Sequence, residues 1–242
     1  MTVVDLIMVA GVVFAGAVLQ SFTGFGFALI VAPLAALIAP DLVPGPVIAL
    51  TLVLTLSYTV RMRRLIDWSD FGFIMLGRLP FTLVAAIWMA NVDANWIGLA
   101  FGLFLLASVA VTWSRVSLRT TPAVLAVAGG LSGFFGTLTS VGAPPLAIAY
   151  QNRRGPEIRA TLGANIILGA AMSLFALGAG GHLDIPRLIM QAALALPVML
   201  VGMFVGGRLS DKVDPEALRR VVLIVCAISA FVLTLRAGSR LI

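Results

Sequence analysis

The chain has few of the side chains that build metal centres, disulfides and most catalytic sites. Its 242 residues include one cysteine, Cys226, and one histidine, His182. A single cysteine excludes a disulfide within the chain, a cysteine metal cluster and a dithiol redox pair. A single histidine excludes a multi-histidine metal site within one chain. We therefore expect neither a metal nor another cofactor.

Charged residues are also scarce, whereas apolar residues are abundant. Charged residues make up 11% of the chain and hydrophobic ones 61%, compared with about 25% and 45–50% in soluble domains. No soluble fold of this length hides so much apolar surface, so the sequence predicts an all-α protein that crosses a membrane several times.

The chain offers no paired carboxylate, and a Ser/His dyad would need His182 to reach inward from a predicted loop. We therefore expect a protein that is not an enzyme.

Hydropathy divides the chain into ten apolar segments, five in each half. They are residues 3–19, 27–38, 47–60, 71–90 and 96–113, then 122–135, 143–150, 161–179, 185–206 and 217–235. A helix needs about 20 residues to cross a bilayer, and the first two segments of each half are shorter than that. Each short pair is predicted to form either two tilted crossings or a re-entrant hairpin whose tip stops inside the membrane.

Residues 1–114 and 121–242 are predicted to be two repeats within one membrane domain. Gly26 and Gly142 take corresponding places, and apolar segments and polar turns follow in the same order in each half. Because five segments is an odd number, the second repeat should be inverted relative to the first. Inverted-topology repeats are found in many secondary transporters.

Arginine and lysine are concentrated in alternate loops. The basic residues of those loops are Arg61, Arg63, Arg64, Arg115, Arg119, Arg153, Arg154, Arg159, Arg208, Lys212, Arg219 and Arg220. The loops at 40–46, 91–95 and 180–184 contain neither residue type, and the exceptions to the pattern are Arg187, Arg236 and Arg240. The positive-inside rule therefore places the basic loops in the cytoplasm and both termini in the periplasm of a bacterial inner membrane. The net charge of +6 then indicates contact with anionic membrane lipid rather than with nucleic acid.

Two polar, glycine-containing breaks interrupt the apolar segments, at residues 20–26 and 136–142. Hydroxyls and irregular backbone are costly in lipid unless they line a cavity, and matching breaks in two halves indicate a transporter's binding site. Helices that end there would direct free N–H groups towards an anion. Alternatively, these small residues only allow close helix packing. The candidate binding residues at the breaks are Gln20, Ser21, Thr23, Gly24, Gly26, Thr137, Thr139, Ser140 and Gly142.

Arg78 lies well inside the fourth segment, where a charge costs about 2.5–3.5 kcal/mol on insertion scales. All ten acidic residues lie at segment ends or in loops. An arginine without a protein counter-ion suits an oxyanion, because its planar guanidinium donates parallel hydrogen bonds. Alternatively, Arg78 pairs with backbone carbonyls or with a carboxylate that folds inward. Thr51 and Asn165, at corresponding places in the two halves, are predicted to line the same cavity or to form interhelical hydrogen bonds.

The breaks carry a resemblance to a known family. Gly24-Phe25-Gly26 with Pro33, and residues 133–142 with Pro144-Pro145, resemble the TauE/SafE family of sulfite and organosulfur exporters over essentially the whole chain. The resemblance implies an inner-membrane carrier of a small sulfur-containing anion such as sulfite, sulfoacetate or another sulfonate. It also implies seven or eight membrane helices, which agrees with ten segments if some short ones are half-helices.

The sequence thus predicts a secondary transporter, and more specifically an exporter. Its predicted substrate and partner is a small anion. An anion channel, or a uniporter for another small anion, is the alternative function. A homodimer is the expected assembly, because two-fold assemblies are the commonest oligomers.

Overall fold

The computed structural model describes residues 3–24, 26–114, 118–153, 155–209 and 215–239. Within these residues the chain forms ten α-helices. They are α1 (Val3–Thr23), α2 (Phe27–Ile38), α3 (Gly45–Met62), α4 (Trp68–Asn91), α5 (Ala94–Trp113), α6 (Pro122–Thr139), α7 (Ala143–Ala149), α8 (Pro156–Ala179), α9 (Ile185–Leu209) and α10 (Pro215–Gly238). The residues used in the sequence analysis that lie outside the described part are Phe25, Arg115, Arg154, Lys212, Arg240 and the side chain of Arg219.

Eight of the described helices are long and apolar enough to cross a membrane, all except α2 and α7. This corrects the expectation that the first segment of each half is too short, because α1 has 21 residues and α6 has 18. Both helices continue through polar residues that hydropathy excludes from an apolar segment. By contrast, α2 has 12 residues and α7 has 7, which correspond to about 18 and 10 Å of helix.

The connections α3–α4 and α7–α8 lie together at one end of the helix bundle, which we call the basic end. The amide of Asp67 before α4 donates to Thr161 Oγ1 in α8, over 2.9 Å. Arg153, between α7 and α8, forms an ion pair with Asp70 in α4. The Asp67 carboxylate caps α4 by accepting from the amides of Ser69 and Asp70, as an N-cap residue commonly does.

The connections α2–α3 and α8–α9 meet at the other end of the bundle, which we call the opposite end. Arg187 at the start of α9 pairs with Asp41 between α2 and α3. Arg236 near the end of α10 donates to the Leu37 carbonyl in α2, over 3.1 Å. Termini of α2, α3, α8, α9 and α10 therefore gather there.

The short helices α2 and α7 turn back along the helices that precede them. Gly16 in α1 lies so close to Val31 in α2 that a Cβ would come within 2.6 Å of Val31 Cγ2. Thr120, just before α6, donates to the Ala149 carbonyl at the end of α7, over 2.8 Å. The α6–α7 hairpin therefore begins and ends at the same level, and α7 does not cross the bundle.

Tyr150, directly after α7, anchors this hairpin at the basic end. Its hydroxyl donates to Asp70 Oδ2 over 2.9 Å. Burial, together with this hydrogen bond, raises the pKa of Tyr150 above its ordinary value. The hydroxyl therefore keeps its proton and remains a donor at neutral pH.

Helices α4 and α6 pack with their backbones in contact. A Cβ at Gly77 in α4 would overlap the Ala126 carbonyl, and a Cβ at Gly129 in α6 would overlap the Ile74 carbonyl. Ile74 itself is fully buried. Small residues allow such close approach, which replaces the missing hydrophobic driving force between helices in lipid.

We expect Gly77→Ala to lower the thermal stability of the protein, because the added methyl group forces α4 and α6 apart. Overpacking of this kind typically costs about 1–3 kcal/mol. The measurement is the unfolding temperature of the detergent-purified protein. Gly72→Ala is the matched control, because a Cβ at this position in α4 meets no described atom within 4 Å. Equal losses in both variants would contradict the close packing of α4 and α6.

Candidate functional site

The first break separates α1 from α2 and is held in place by Gln20. The Gln20 Oε1 atom accepts from the Phe27 amide over 2.9 Å, and its Nε2 atom donates to Thr55 Oγ1 in α3 over 3.0 Å. Gly24 and Gly26 have φ angles of +78° and +131°, which glycine adopts without a steric penalty. Gln20 thus caps α2 and fixes the break against α3.

The second break separates α6 from α7. Ser140 has a φ angle of +67°, which is uncommon for a residue with a side chain. Its Oγ atom donates to the Pro44 carbonyl over 2.9 Å. Thr139 Oγ1 donates to the Phe135 carbonyl and accepts from the Val141 amide. The side chains of the break therefore replace the hydrogen bonds that a continuous helix would make.

Arg78 reaches from α4 across α6 to α8 and is only 4% exposed. Its Nη1 atom donates to Ser132 Oγ in α6 over 3.0 Å. Its Nε atom is buried and has no hydrogen-bond partner among the described residues. No carboxylate oxygen of the described part lies within 4.0 Å of the guanidinium. Arg78 is thus a buried cation whose hydrogen-bonding capacity is largely unused.

Glycines make the space for the Arg78 side chain. A Cβ at Gly169 in α8 would overlap the Cζ and Nε atoms of the guanidinium. A Cβ at Gly136 in α6 would come within 3.4 Å of Nη2, and one at Gly133 within 3.0 Å of Cγ. The position of the guanidinium therefore depends on the absence of side chains on two neighbouring helices.

A cavity of about 40 Å³ lies between the two breaks, and Arg78 lines it. A water molecule occupies roughly 10–15 Å³ by this measure, so the cavity has room for a few waters or a small oxyanion. Six of the predicted site residues line it together: Gln20, Gly26, Thr51, Arg78, Ser140 and Gly142. The fold thus brings both breaks and the buried arginine to one place.

Three other predicted residues have side chains directed elsewhere. Ser21 donates to the carbonyls of Ala17 and Met203, and so faces α9. Thr137 shares a 2.8 Å hydrogen bond with Ser173, and it does not line the cavity, although Ser173 does. Thr139 lines a separate hollow at the opposite end.

Asn165 and Gly24 are predicted site residues that do not line the cavity. Asn165 is fully buried, and its Nδ2 atom donates to the Thr161 carbonyl over 2.9 Å. Its Oδ1 atom lacks a partner within the described part of the chain. Gly24 packs against the guanidinium of Arg159. The side chain of Thr23 lies outside the described residues.

The structure adds residues to the site that the sequence analysis did not select. Ser132 binds Arg78, Gly136 and Ser173 line the cavity, and Gly169 borders the guanidinium. Gly136 is the first residue of the second break and Ser132 lies just before it, and their glycine-rich surroundings were a usable signal. Gly169 and Ser173 carried no such signal, because they matter only once α4 and α8 are in contact.

A second hollow, of about 600 Å³, opens at the opposite end. Its lining includes Thr139 and Pro44, which adjoin Ser140 of the inner cavity, and nearer the surface Arg187 and Arg236. The hydrogen bond from Ser140 to the Pro44 carbonyl therefore lies between the hollow and the inner cavity. A small solute from that end could reach the level of the second break.

Comparison with known proteins assigns the chain to a family. Residues 8–233 match the family described as Sulfite exporter TauE/SafE. The chain belongs to this family. It is similar to the probable inner membrane transporter protein TsaS of Comamonas testosteroni. The two are 27% identical over an alignment that covers 71% of this chain and 74% of TsaS. It also resembles the probable sulfite/organosulfonate exporter TauE of Cupriavidus necator, with 28% identity over 90% of this chain and 93% of that protein.

No solved structure matches the chain.

In this TauE/SafE protein, the prolines of the two motifs take different places. Pro33 lies inside α2, whereas Pro144 and Pro145 lie in the first turn of α7. A proline in the first turn of a helix sacrifices no hydrogen bond, since the amides of that turn have no helical partner. The second motif therefore serves to start α7 directly after the break.

Proposed function

We propose that this protein is a secondary transporter that exports a small sulfur-containing anion, such as sulfite, sulfoacetate or another sulfonate. The observation that carries the proposal is Arg78, a buried cation at the cavity between the two breaks. A buried charge in a membrane protein is costly and usually functional. An oxyanion supplies the counter-charge that the described protein groups do not supply.

The cavity has the groups needed to hold an oxyanion. The Nε atom of Arg78 is free to donate, and a guanidinium donates to two oxygens of one anion at once. Gly26 and Ala28 at the start of α2 also line the cavity, and the N-terminus of a helix carries a partial positive charge. Sulfite and sulfonate groups present three oxygens, which suit these donors.

The substrate class rests on family membership and on the names of the relatives. The Cupriavidus necator relative is described as a probable sulfite/organosulfonate exporter, and the family is named for sulfite export. Export of an anion is favourable in a bacterium, because an inside-negative potential contributes about 2.3 kcal/mol per charge per 100 mV. The protein therefore needs no coupling ion to export a monovalent anion.

We also propose that the protein lies in the inner membrane with its basic end in the cytoplasm and both termini in the periplasm. The two halves would then be inverted repeats. In support, the first break lies near the basic end, where Gly24 contacts Arg159, whereas Ser140 of the second break bonds to Pro44 on the side of the opposite end. An inverted repeat requires that the two corresponding breaks face opposite ends of the bundle. We also propose that the protein forms a homodimer.

The test is uptake of radiolabelled sulfite and of a small sulfonate into proteoliposomes that contain the wild-type protein. We expect saturable uptake that unlabelled anion inside the vesicles accelerates, because a carrier returns faster when loaded. Uptake that does not saturate and shows no counterflow would support the alternative, an anion channel. Absence of transport for every sulfur anion tested would contradict the proposed substrate class.

A further inference from the structure

Arg159 is a second arginine near the cavity, and it lies in the first turn of α8 at the basic end. Its guanidinium packs on the first break, since a Cβ at Gly24 would come within 2.6 Å of Nε and 3.2 Å of Nη2. The Nε atom is buried and finds no hydrogen-bond partner in the described part of the chain. The carboxylate of Asp70, also at the basic end, is paired with Arg153.

Arg159 lies on the face of α8 that borders the cavity. Ile166 and Ser173, which line the cavity, follow Arg159 at intervals of seven residues. Seven residues are almost two helical turns, so the three side chains share one face of the helix. Arg159 is therefore about 10 Å nearer the basic end than Ile166, along the same face.

Tyr58 holds the same break from the other side. Its hydroxyl, in α3, donates to the Gly24 carbonyl. Gly24 belongs to the first break, and two other residues of that break, Gln20 and Gly26, line the cavity. Tyr58 and Arg159 therefore both contact Gly24, on the side of the cavity that faces the basic end.

We propose that Arg159 is a second anion-binding residue, which binds the oxyanion group of the substrate at the basic end before the anion reaches Arg78. The Tyr58 hydroxyl, which donates to the Gly24 carbonyl, holds the break segment against which this guanidinium lies. The inference rests on the proposed function, because it assigns the route of the same anion. An arginine with only a packing role would not need the charge, whereas an anion-binding residue does.

The test measures transport of the sulfonate from the basic end, in everted membrane vesicles, for Arg159→Gln and Arg159→Lys. We expect Arg159→Gln to raise the KM about tenfold while the maximum rate and the unfolding temperature stay near those of the wild type. Arg159→Lys should recover part of the lost affinity, since it restores the charge without the planar fork. Arg64→Gln is the matched control, because it removes an exposed arginine of the α3–α4 connection at the same end, and its KM should not change.

Three results would overturn the inference while leaving the proposed function in place. One is a wild-type KM in Arg159→Gln. Another is an equal rise of the KM in Arg64→Gln, which would assign the effect to surface charge. The third is a loss of thermal stability in Arg159→Gln that Arg159→Lys does not restore, which would assign Arg159 a packing role. If the wild-type protein transports no sulfur anion, the proposed function fails, and the inference falls with it.

Discussion

Arg78→Gln is expected to abolish transport while leaving the protein at least as stable to heat as the wild type. Transport is lost because the neutral amide offers no charge to the anion in the cavity. Stability is kept because the substitution removes a buried charge that costs about 2.5–3.5 kcal/mol in the middle of a membrane helix. The hydrogen bond from the charged guanidinium to Ser132 offsets about 1.5–3 kcal/mol of that cost, so the substitution should not lower stability.

This combination of results separates a functional arginine from a structural one. Removal of an arginine that held helices together would lower the unfolding temperature and the transport rate in parallel. Sites that bind ligands are often kept at a cost in stability, so the two measurements should diverge for Arg78. Arg208→Gln is the control, because Arg208 is exposed at the end of α9 and stacks on Phe204. Normal transport by Arg78→Gln would contradict the proposed site.

Arg78→Lys refines the same prediction. Lysine keeps the positive charge but lacks the planar fork and its fixed donor geometry. We therefore expect weak transport with a raised KM, intermediate between Arg78→Gln and the wild type. Full activity of Arg78→Lys would indicate that charge alone, without bidentate geometry, suffices for the substrate.

Gly169→Ala is expected to reduce transport as strongly as a change of Arg78 itself, although it alters neither charge nor a polar group. The new Cβ would occupy the place of the guanidinium Cζ and Nε atoms, so the guanidinium must move. The side chain is confined by Gly133 and Gly136 on α6 and cannot shift without disturbing them. Displacement of a positioned group by about 1 Å can cost on the order of 100-fold in rate.

The effect should come from Arg78 and not from the helix. Alanine is a better helix former than glycine by about 1 kcal/mol, so α8 itself should not weaken. Gly178→Ala is the matched control on the same helix, because its Cβ meets no described atom within 4 Å. The double variant Gly169→Ala/Arg78→Lys should transport no less than Arg78→Lys alone, since both changes act on the same interaction. Normal transport by Gly169→Ala would show that the guanidinium position is unimportant.

Hydropathy was a good guide to the helices of this chain because burial in lipid is decided residue by residue. The predicted segment 27–38 coincides with α2, and 143–150 differs from α7 by one residue. The error lay in the helices before the breaks. Gln20 and its neighbours continue α1 as helix, because Gln20 finds partners in Phe27 and Thr55, and a hydropathy pattern contains no information about those partners.

The sequence by itself determined the class of the protein, the places of the two breaks and the position of Arg78 well inside an apolar helix. Each follows from a local cost: apolar residues avoid water, and buried polar groups need a reason to be there. Only the tertiary structure decided which side chains meet. It directed Ser21 towards α9, brought Gly169 against the guanidinium and placed Arg159 on the cavity face of α8. The physical reason is that a contact between helices depends on their rotation and depth, which no single segment specifies.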